Sequence, residues 1–240
     1  MREVLADLSL VAAKDLRIEL RSRVLANQVA PFALLVLVLF GVALDADQRT
    51  LRSFAPGLFW VAVLLCALLA VQRSVAVERA DDAVVGLRLS GMSPSALFLG
   101  KATAVLVQLL VLEVLLTGGI IVLYRSSVED VALLVLTGLT AGVAVAAAGT
   151  LYGAMAAGLG VRETLLPILL LPVLAPVLIG ATRAFDDALG AAAVDGWAWL
   201  VLLAGLAVVL TLVGALAYRV LVEGSEERRV GKECRSRWAP

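Results

Sequence analysis

The chain has 240 residues, of which 62% are hydrophobic and 17% are charged, and its formal net charge is zero. Soluble domains are about 45–50% apolar and about 25% charged, so this composition excludes an ordinary soluble protein and predicts an integral membrane protein. A chain without excess positive charge offers no electrostatic surface for a nucleic-acid partner. The sequence also lacks histidine, which removes the commonest metal ligand and general base.

The first 20 residues repeat their apolar positions with a helical period. Asp15 and Glu19 interrupt the apolar face, so the pattern weakens after Leu16. The pattern predicts an amphipathic helix lying in the membrane interface, and the alternative is a cytoplasmic helix packed on protein. The apolar face consists of Val4, Leu5, Leu8, Val11, Ala12 and Leu16, and the polar face consists of Arg2, Glu3, Asp7, Lys14 and Arg17.

Six apolar runs follow, each close to the roughly 20 residues that a membrane-spanning helix requires. The runs are continuous rather than alternating, which favours helices over a barrel. The second run carries Trp60 near one end, as expected for a residue type that prefers the membrane interface. The predicted spans are about 28–44, 55–77, 97–124, 131–158, 165–182 and 199–222.

Lys and Arg are distributed unevenly between the two sides that these spans define. One side carries Arg2, Lys14, Arg17, Arg21, Arg23, Arg73, Arg79, Arg88, Lys101, Arg162 and Arg219; the other carries Arg49, Arg52, Arg125 and Arg183. Basic residues favour the cytoplasmic side. We therefore expect both termini to be cytoplasmic, together with the connector between the second and third spans.

The third span contains two polar side chains, Gln108 and Glu113, and Glu113 lies near its middle. A carboxyl group at that depth costs roughly 2.5–3.5 kcal/mol on insertion scales. Glu113 and Gln108 are therefore candidates for a substrate path. The alternative for Glu113 is a carboxyl buried between helices.

The fourth and fifth predicted spans differ in how they should pack. Glycines at helical spacing let helix backbones approach closely, so the fourth span is expected to pack tightly through Gly138, Gly142, Gly149 and Gly153. Prolines inside a helix produce kinks, so the fifth span is expected to be bent or broken at Pro167, Pro172 and Pro176.

The connector between the second and third spans is short, charged and partly apolar. We interpret it as a coupling helix, with an apolar seat formed by Val84, Val85 and Leu87. Its charged rim is Glu78, Arg79, Asp81 and Asp82. The alternative is that these residues only end the second span and turn the chain. Ser93 is predicted to be the N-cap of the third span, with Pro94 at the first helical position.

The composition changes after Gly224. Residues 225–240 are densely charged and show no periodicity, so they are predicted to be disordered or foreign to the protein. Residues 1–224 are expected to form a single six-helix membrane domain.

The sequence contains no recognisable nucleotide-binding, catalytic or zinc-binding motif. Gly100-Lys101 lacks the surrounding pattern of a nucleotide-binding loop, and without histidine there is no Ser/His/Asp set. The two cysteines cannot form a zinc site alone. The chain combines membrane spans and a contact surface for a soluble partner with the lack of an energy source of its own. This combination predicts a permease driven by a separate ATPase. A membrane scaffold without transport activity is the alternative, and an intramembrane enzyme is a third.

Three segments carry a resemblance to a known family. Residues 54–62 (FAPGLFWVA) resemble the second-helix signature of the heme exporter protein B (CcmB) family. Residues 77–89 resemble that family's connector, and residues 170–179 (LLPVLAPVLI) its proline-rich fifth helix. The family often has glutamate before the connector glycine and proline after the connector helix, where this chain has Val85 and Gly91.

The resemblance implies an ABC-2-type exporter permease of the bacterial inner membrane, serving heme transport in c-type cytochrome biogenesis. It implies three partners: an ABC ATPase that holds the ATP, a heme-handling membrane subunit and a small accessory membrane protein. Heme is a candidate substrate, and no cofactor or metal is expected on this chain. Another exporter of drugs, lipids or polysaccharides is the alternative, which neighbouring genes would distinguish.

Overall fold

The computed structural model describes residues 2–43, 47–80, 92–159 and 165–237. These residues form seven α-helices, with no β-strand among them. The helices are α1 (Arg2–Ser22), α2 (Ala30–Ala43), α3 (Gln48–Ala80), α4 (Pro94–Tyr124), α5 (Val131–Leu159), α6 (Leu165–Ala188) and α7 (Gly196–Arg237), with a π-helical turn (Leu25–Val29) before α2. The prediction of an all-α membrane protein is confirmed.

Five helices in the described part of the chain, α3 to α7, are long and apolar enough to cross a membrane. A sixth span results if residues 6–22 and 27–43 are counted together, and these two segments meet at an angle of 55°. The predicted first span coincides with the π-helical turn and α2. Helix α2 alone has 14 residues, and at a rise of about 1.5 Å per residue it is too short to cross a membrane by itself. The predicted first span therefore includes the preceding π-helical turn.

The predicted amphipathic helix forms as α1, and part of its apolar face packs on α4. Val11 and Ala12 are buried, and a Cβ on Gly100 of α4 would lie 2.7 Å from Val11 Cβ. Lys101, the next residue, interacts electrostatically with Asp15 of α1. The contact agrees with the alternative prediction for this segment, a helix packed on protein. Leu10 and Leu20 on α1 remain exposed.

Helix α5 lies at the centre of the bundle and packs against α3, α4, α6 and α7. Its small residues let four helices pack around it, and residues 144–150 are all buried as a result. A Cβ on Gly149 would lie 2.6 Å from Val71 Cγ2 of α3. The close approach that the glycine pattern predicts is therefore present at the contact between α5 and α3.

Helix α6 is continuous from Leu165 to Ala188, so the fifth predicted span is not broken. Pro167 is the third residue of the helix, where no intrahelical N–H partner is lost. Pro172 and Pro176 lie inside the helix, and a bend at these two positions stays a prediction.

Helix α7 extends to Arg237 and so includes most of the charged segment that was expected to be disordered or foreign. Whether the domain ends at Gly224 stays a prediction.

Candidate functional site

The predicted coupling residues lie at the junction between α3 and α4. Glu78 and Arg79 belong to the last turn of α3, with side chains outside the described part. The remaining coupling residues, Asp81, Asp82, Val84, Val85 and Leu87, lie outside the described residues altogether. The structure therefore describes the two helices that hold the connector, and the coupling role stays a prediction.

The start of α4 has the predicted capping geometry. Ser93 has extended backbone angles, and its side-chain oxygen accepts a hydrogen bond from the Ala96 N–H at 3.3 Å. Pro94 occupies the first helical position, where its missing N–H costs nothing. The start of α4 is thus fixed by a cap and a proline, as the sequence predicts.

Glu19 links the end of α1 to the end of α3 that leads into the connector. Its Oε1 accepts a hydrogen bond from the Leu25 N–H at 2.8 Å, and its Oε2 lies 3.5 Å from Arg73 Nε. Arg23, in the break between α1 and the π-helical turn, has a left-handed φ of 51°. Sequence reasoning treated Glu19 only as an interruption of the apolar face. A carboxylate in the last turn of a helix, close to a break in the chain, is the signal that could have indicated a capping role.

Glu113 lies in a notch on α5. A Cβ on Gly138 would be 2.8 Å from Glu113 Oε2, and one on Gly142 would be 3.5 Å from Glu113 Oε1. Two glycines four residues apart on one helix face therefore make the space that the carboxyl group occupies. Glu113 is 5% exposed, and its Oε1 has no hydrogen-bond partner among the described residues. This geometry favours a carboxyl buried between helices; a role in a substrate path stays a prediction.

Gln108 lies on a different side of α4 from Glu113. It lies five residues before Glu113 on α4, which puts the two side chains about 140° apart around the helix axis. It is partly exposed, whereas Glu113 is buried. The two residues therefore do not form one polar site, although the sequence placed both on the same candidate path.

The four glycines of α5 have different neighbours. Gly138 and Gly142 face α4, since Glu113 and Leu106 approach them, whereas Gly149 faces Val71 on α3. Gly153 is buried. The glycine stripe thus serves two helix contacts, and one of them also accommodates a carboxyl group.

No group of three or more Asp, Glu, Cys or His side chains suited to a metal ion occurs among the described residues. Cys66 is a buried free thiol in the core, with its sulfur 4.0 Å from the Val29 carbonyl oxygen.

Comparison with known proteins identifies the family. The sequence model described as CcmB protein matches residues 6–224. Heme exporter protein B of Escherichia coli (strain K12) is 31% identical over 198 residues, covering 80% of this chain and 88% of that protein. Heme exporter protein B of Pseudomonas aeruginosa is 29% identical over 205 residues, covering 85% and 92%. The protein of the same name from Haemophilus influenzae is 29% identical over 178 residues, covering 74% and 80%. The chain belongs to the CcmB protein family.

Proposed function

We propose that this chain is the membrane permease subunit of an ATP-driven heme exporter that serves c-type cytochrome biogenesis. The observation that carries the proposal is the family match over residues 6–224, together with relatives that bear the name heme exporter protein B. The bundle of apolar helices supports it, because such a protein crosses a membrane by packed helices. The chain itself is a transport subunit rather than an enzyme.

The energy source in this proposal is a separate ABC ATPase, which binds ATP and receives the connector in a groove on its surface. Val84, Val85 and Leu87 form the apolar seat, and Glu78, Arg79, Asp81 and Asp82 form its charged rim. The flanking helices carry the movement: α3 ends at Ala80, and α4 begins at the capped Ser93-Pro94. A rigid-body movement of this kind is a standard way of passing a conformational change between subunits.

Heme is the substrate of the assembly and not a resident group of this chain. The sequence offers no imidazole to heme iron, because it contains no histidine. We propose that the iron ligands come from the heme-handling membrane subunit, and that a small accessory membrane protein completes the complex. The assembly lies in the bacterial inner membrane, with both termini of this chain in the cytoplasm.

The proposal is tested by deleting the gene and staining membranes for covalently bound heme. Covalent heme in c-type cytochromes should disappear and return on complementation with the full chain. Complementation with residues 1–224 tests in parallel whether the charged segment is needed. Undiminished c-type cytochromes in the deletion strain would contradict the role in heme delivery.

The coupling role has its own test. Val84→Asp and Leu87→Asp should abolish co-purification of the ATPase, since a charge in an apolar seat is desolvated without a partner. Ser127→Asp is the matched control, because Ser127 is exposed in the loop between α4 and α5, at the end of the bundle opposite the connector. Full recovery of the ATPase with both connector variants would contradict the assignment.

A further inference from the structure

A cleft of about 460 Å³ opens between α3 and α6 at the end of the bundle opposite the connector. Residues 53–61 of α3 and residues 178–186 of α6 line it, so the two helices run antiparallel along its walls. Its walls include four residues of the segment 54–62 that carries the family resemblance: Phe54, Gly57, Trp60 and Val61. The coupling mechanism gives this segment no role.

The cleft changes character with depth. Ser53, Thr182, Arg183 and Asp186 line the part nearest the helix ends. Gly57, Val61, Leu178 and Ile179 line the part further into the bundle. Eight residues of helix rise about 12 Å, so a polar end and an apolar end lie within the length of a single amphiphile.

The apolar part of the cleft opens towards lipid. Phe54, Val61 and Ile179 line the cleft and are also exposed on the outside of the bundle, and the outer faces of membrane-spanning helices contact lipid. Trp60 closes the opposite wall, packed against Phe59 and Phe185 with ring centroids 5.2 and 5.1 Å away. Trp60 is buried inside the bundle, and its indole nitrogen has no partner among the described residues; its depth relative to the membrane interface stays a prediction.

The polar end holds one cation and one anion side by side. Arg183 Nη1 lies 3.4 Å from Asp186 Oδ2; the arginine side chain is 51% exposed and the aspartate side chain 10%. An arginine has five N–H donors, and this contact uses one nitrogen. A purely anionic ligand on Arg183 would also meet the Asp186 carboxylate, and like charges repel. A ligand with both charges satisfies both side chains.

We propose that this cleft binds one zwitterionic phospholipid from the bilayer. The lipid phosphate lies on the Arg183 guanidinium and the headgroup ammonium lies beside the Asp186 carboxylate. One acyl chain runs over Gly57 and between Val61 and Ile179. The assignment does not depend on heme or on the ATPase, because it rests only on the lining of the cleft.

Gly57 provides a means of filling the cleft without disturbing the protein. A Cβ at this position would meet nothing within 4 Å, although the residue lines the cleft. A phenylalanine ring placed there enters the volume that the acyl chain would occupy. Gly205 on α7 has equally open surroundings and does not line the cleft, so Gly205→Phe is the matched control.

The experiment uses the full chain in vesicles of equal parts phosphatidylethanolamine and phosphatidylglycerol. A trace of one or the other lipid carries a photoactivatable diazirine in its acyl chain. After irradiation, mass spectrometry quantifies labelled peptides from residues 53–61 and 178–186 against labelled peptides from the lipid-facing side of α7. Labelling of the cleft peptides by phosphatidylethanolamine should exceed that by phosphatidylglycerol roughly tenfold, as expected when a hydrogen bond to a charged group is gained.

Gly57→Phe should remove this preference, and Gly205→Phe should retain it. Equal labelling by the two lipids in the wild type, or equal labelling in the two glycine variants, would mean that only unselective boundary lipid is present and would overturn the proposal.

Two further variants test the headgroup assignment. Asp186→Asn should turn the preference towards phosphatidylglycerol, because Arg183 then loses the carboxylate with which it is paired. Arg183→Gln, at a half-exposed position that tolerates substitution, should reduce labelling by either lipid. A phosphatidylethanolamine preference that survives both changes would overturn the assignment of the headgroup to this pair.

Discussion

Replacing Gly149 with alanine is expected to push α5 away from α3. The added Cβ would lie 2.6 Å from Val71 Cγ2, whereas two carbon atoms attract best at about 3.5–4.0 Å. Val71 is buried at 2% exposure, and a β-branched side chain in a helix has one strongly preferred rotamer. Since the valine cannot swing aside, the two helices must separate locally by about 1 Å.

Two effects of opposite sign set the magnitude. Overpacking a core contact costs about 1–3 kcal/mol, and replacing glycine with alanine inside a helix gains about 1 kcal/mol. Gly149→Ala should therefore lower the free energy of unfolding by up to about 2 kcal/mol. Gly205→Ala has open space around its Cβ, so it should show only the gain. The two variants should differ by about 1–3 kcal/mol.

Reversible unfolding of the purified chain in mixed micelles of rising SDS content measures these differences. Val71→Ala removes the clashing methyl group, so the double variant should be more stable than the sum of the single effects, by at least about 1 kcal/mol. If Gly149→Ala proves as stable as Gly205→Ala, or the cycle shows no coupling, the close approach of α5 to α3 is refuted.

Three further changes test other contacts. Glu113→Gln separates the two roles of Glu113: if the carboxyl lines a substrate path, the change lowers heme delivery at an unchanged amount of protein, as measured by heme staining beside an immunoblot; a parallel loss of both would assign Glu113 to folding, the role that its burial between helices favours. Tyr124→Phe should destabilise the chain by about 1–3 kcal/mol in the SDS assay, because the tyrosine hydroxyl donates to the buried Leu37 carbonyl at 2.6 Å; an unchanged midpoint would contradict this. Glu19→Ala should destabilise more than Glu19→Gln, because only glutamine keeps an acceptor for the Leu25 N–H; equal midpoints would show that the cap has no effect.

Features that depend on local chemistry could be predicted from the sequence. The apolar runs located the spans, because hydrocarbon requires about 20 apolar residues in a helix. Ser93 and Pro94 located the start of α4, because a cap and a first-turn proline act within one turn of the helix. The glycine spacing of α5 indicated a close contact for the same reason, since spacing alone decides which residues share a face.

Features that depend on which helices are neighbours could not be predicted. The glycine spacing did not reveal that Gly138 and Gly142 face Glu113, because the partner of a helix face is set by the whole bundle. The position of Trp60 in the chain did not reveal that its ring packs against Phe185 of α6. The cleft between α3 and α6 joins residues more than 100 positions apart, and nothing in either segment indicates that the two are neighbours.

The small residues of α5 have a consequence for the order in which the protein is made. Helices α3 to α7 are each apolar enough to enter the bilayer as an independent helix, and packing follows as a second stage. The notches of α5 have no partners until α3 and α4 are already in place. A cell carrying a glycine variant of α5 would therefore insert the chain normally and lose it afterwards, so membrane proteases rather than the insertion machinery would decide its abundance.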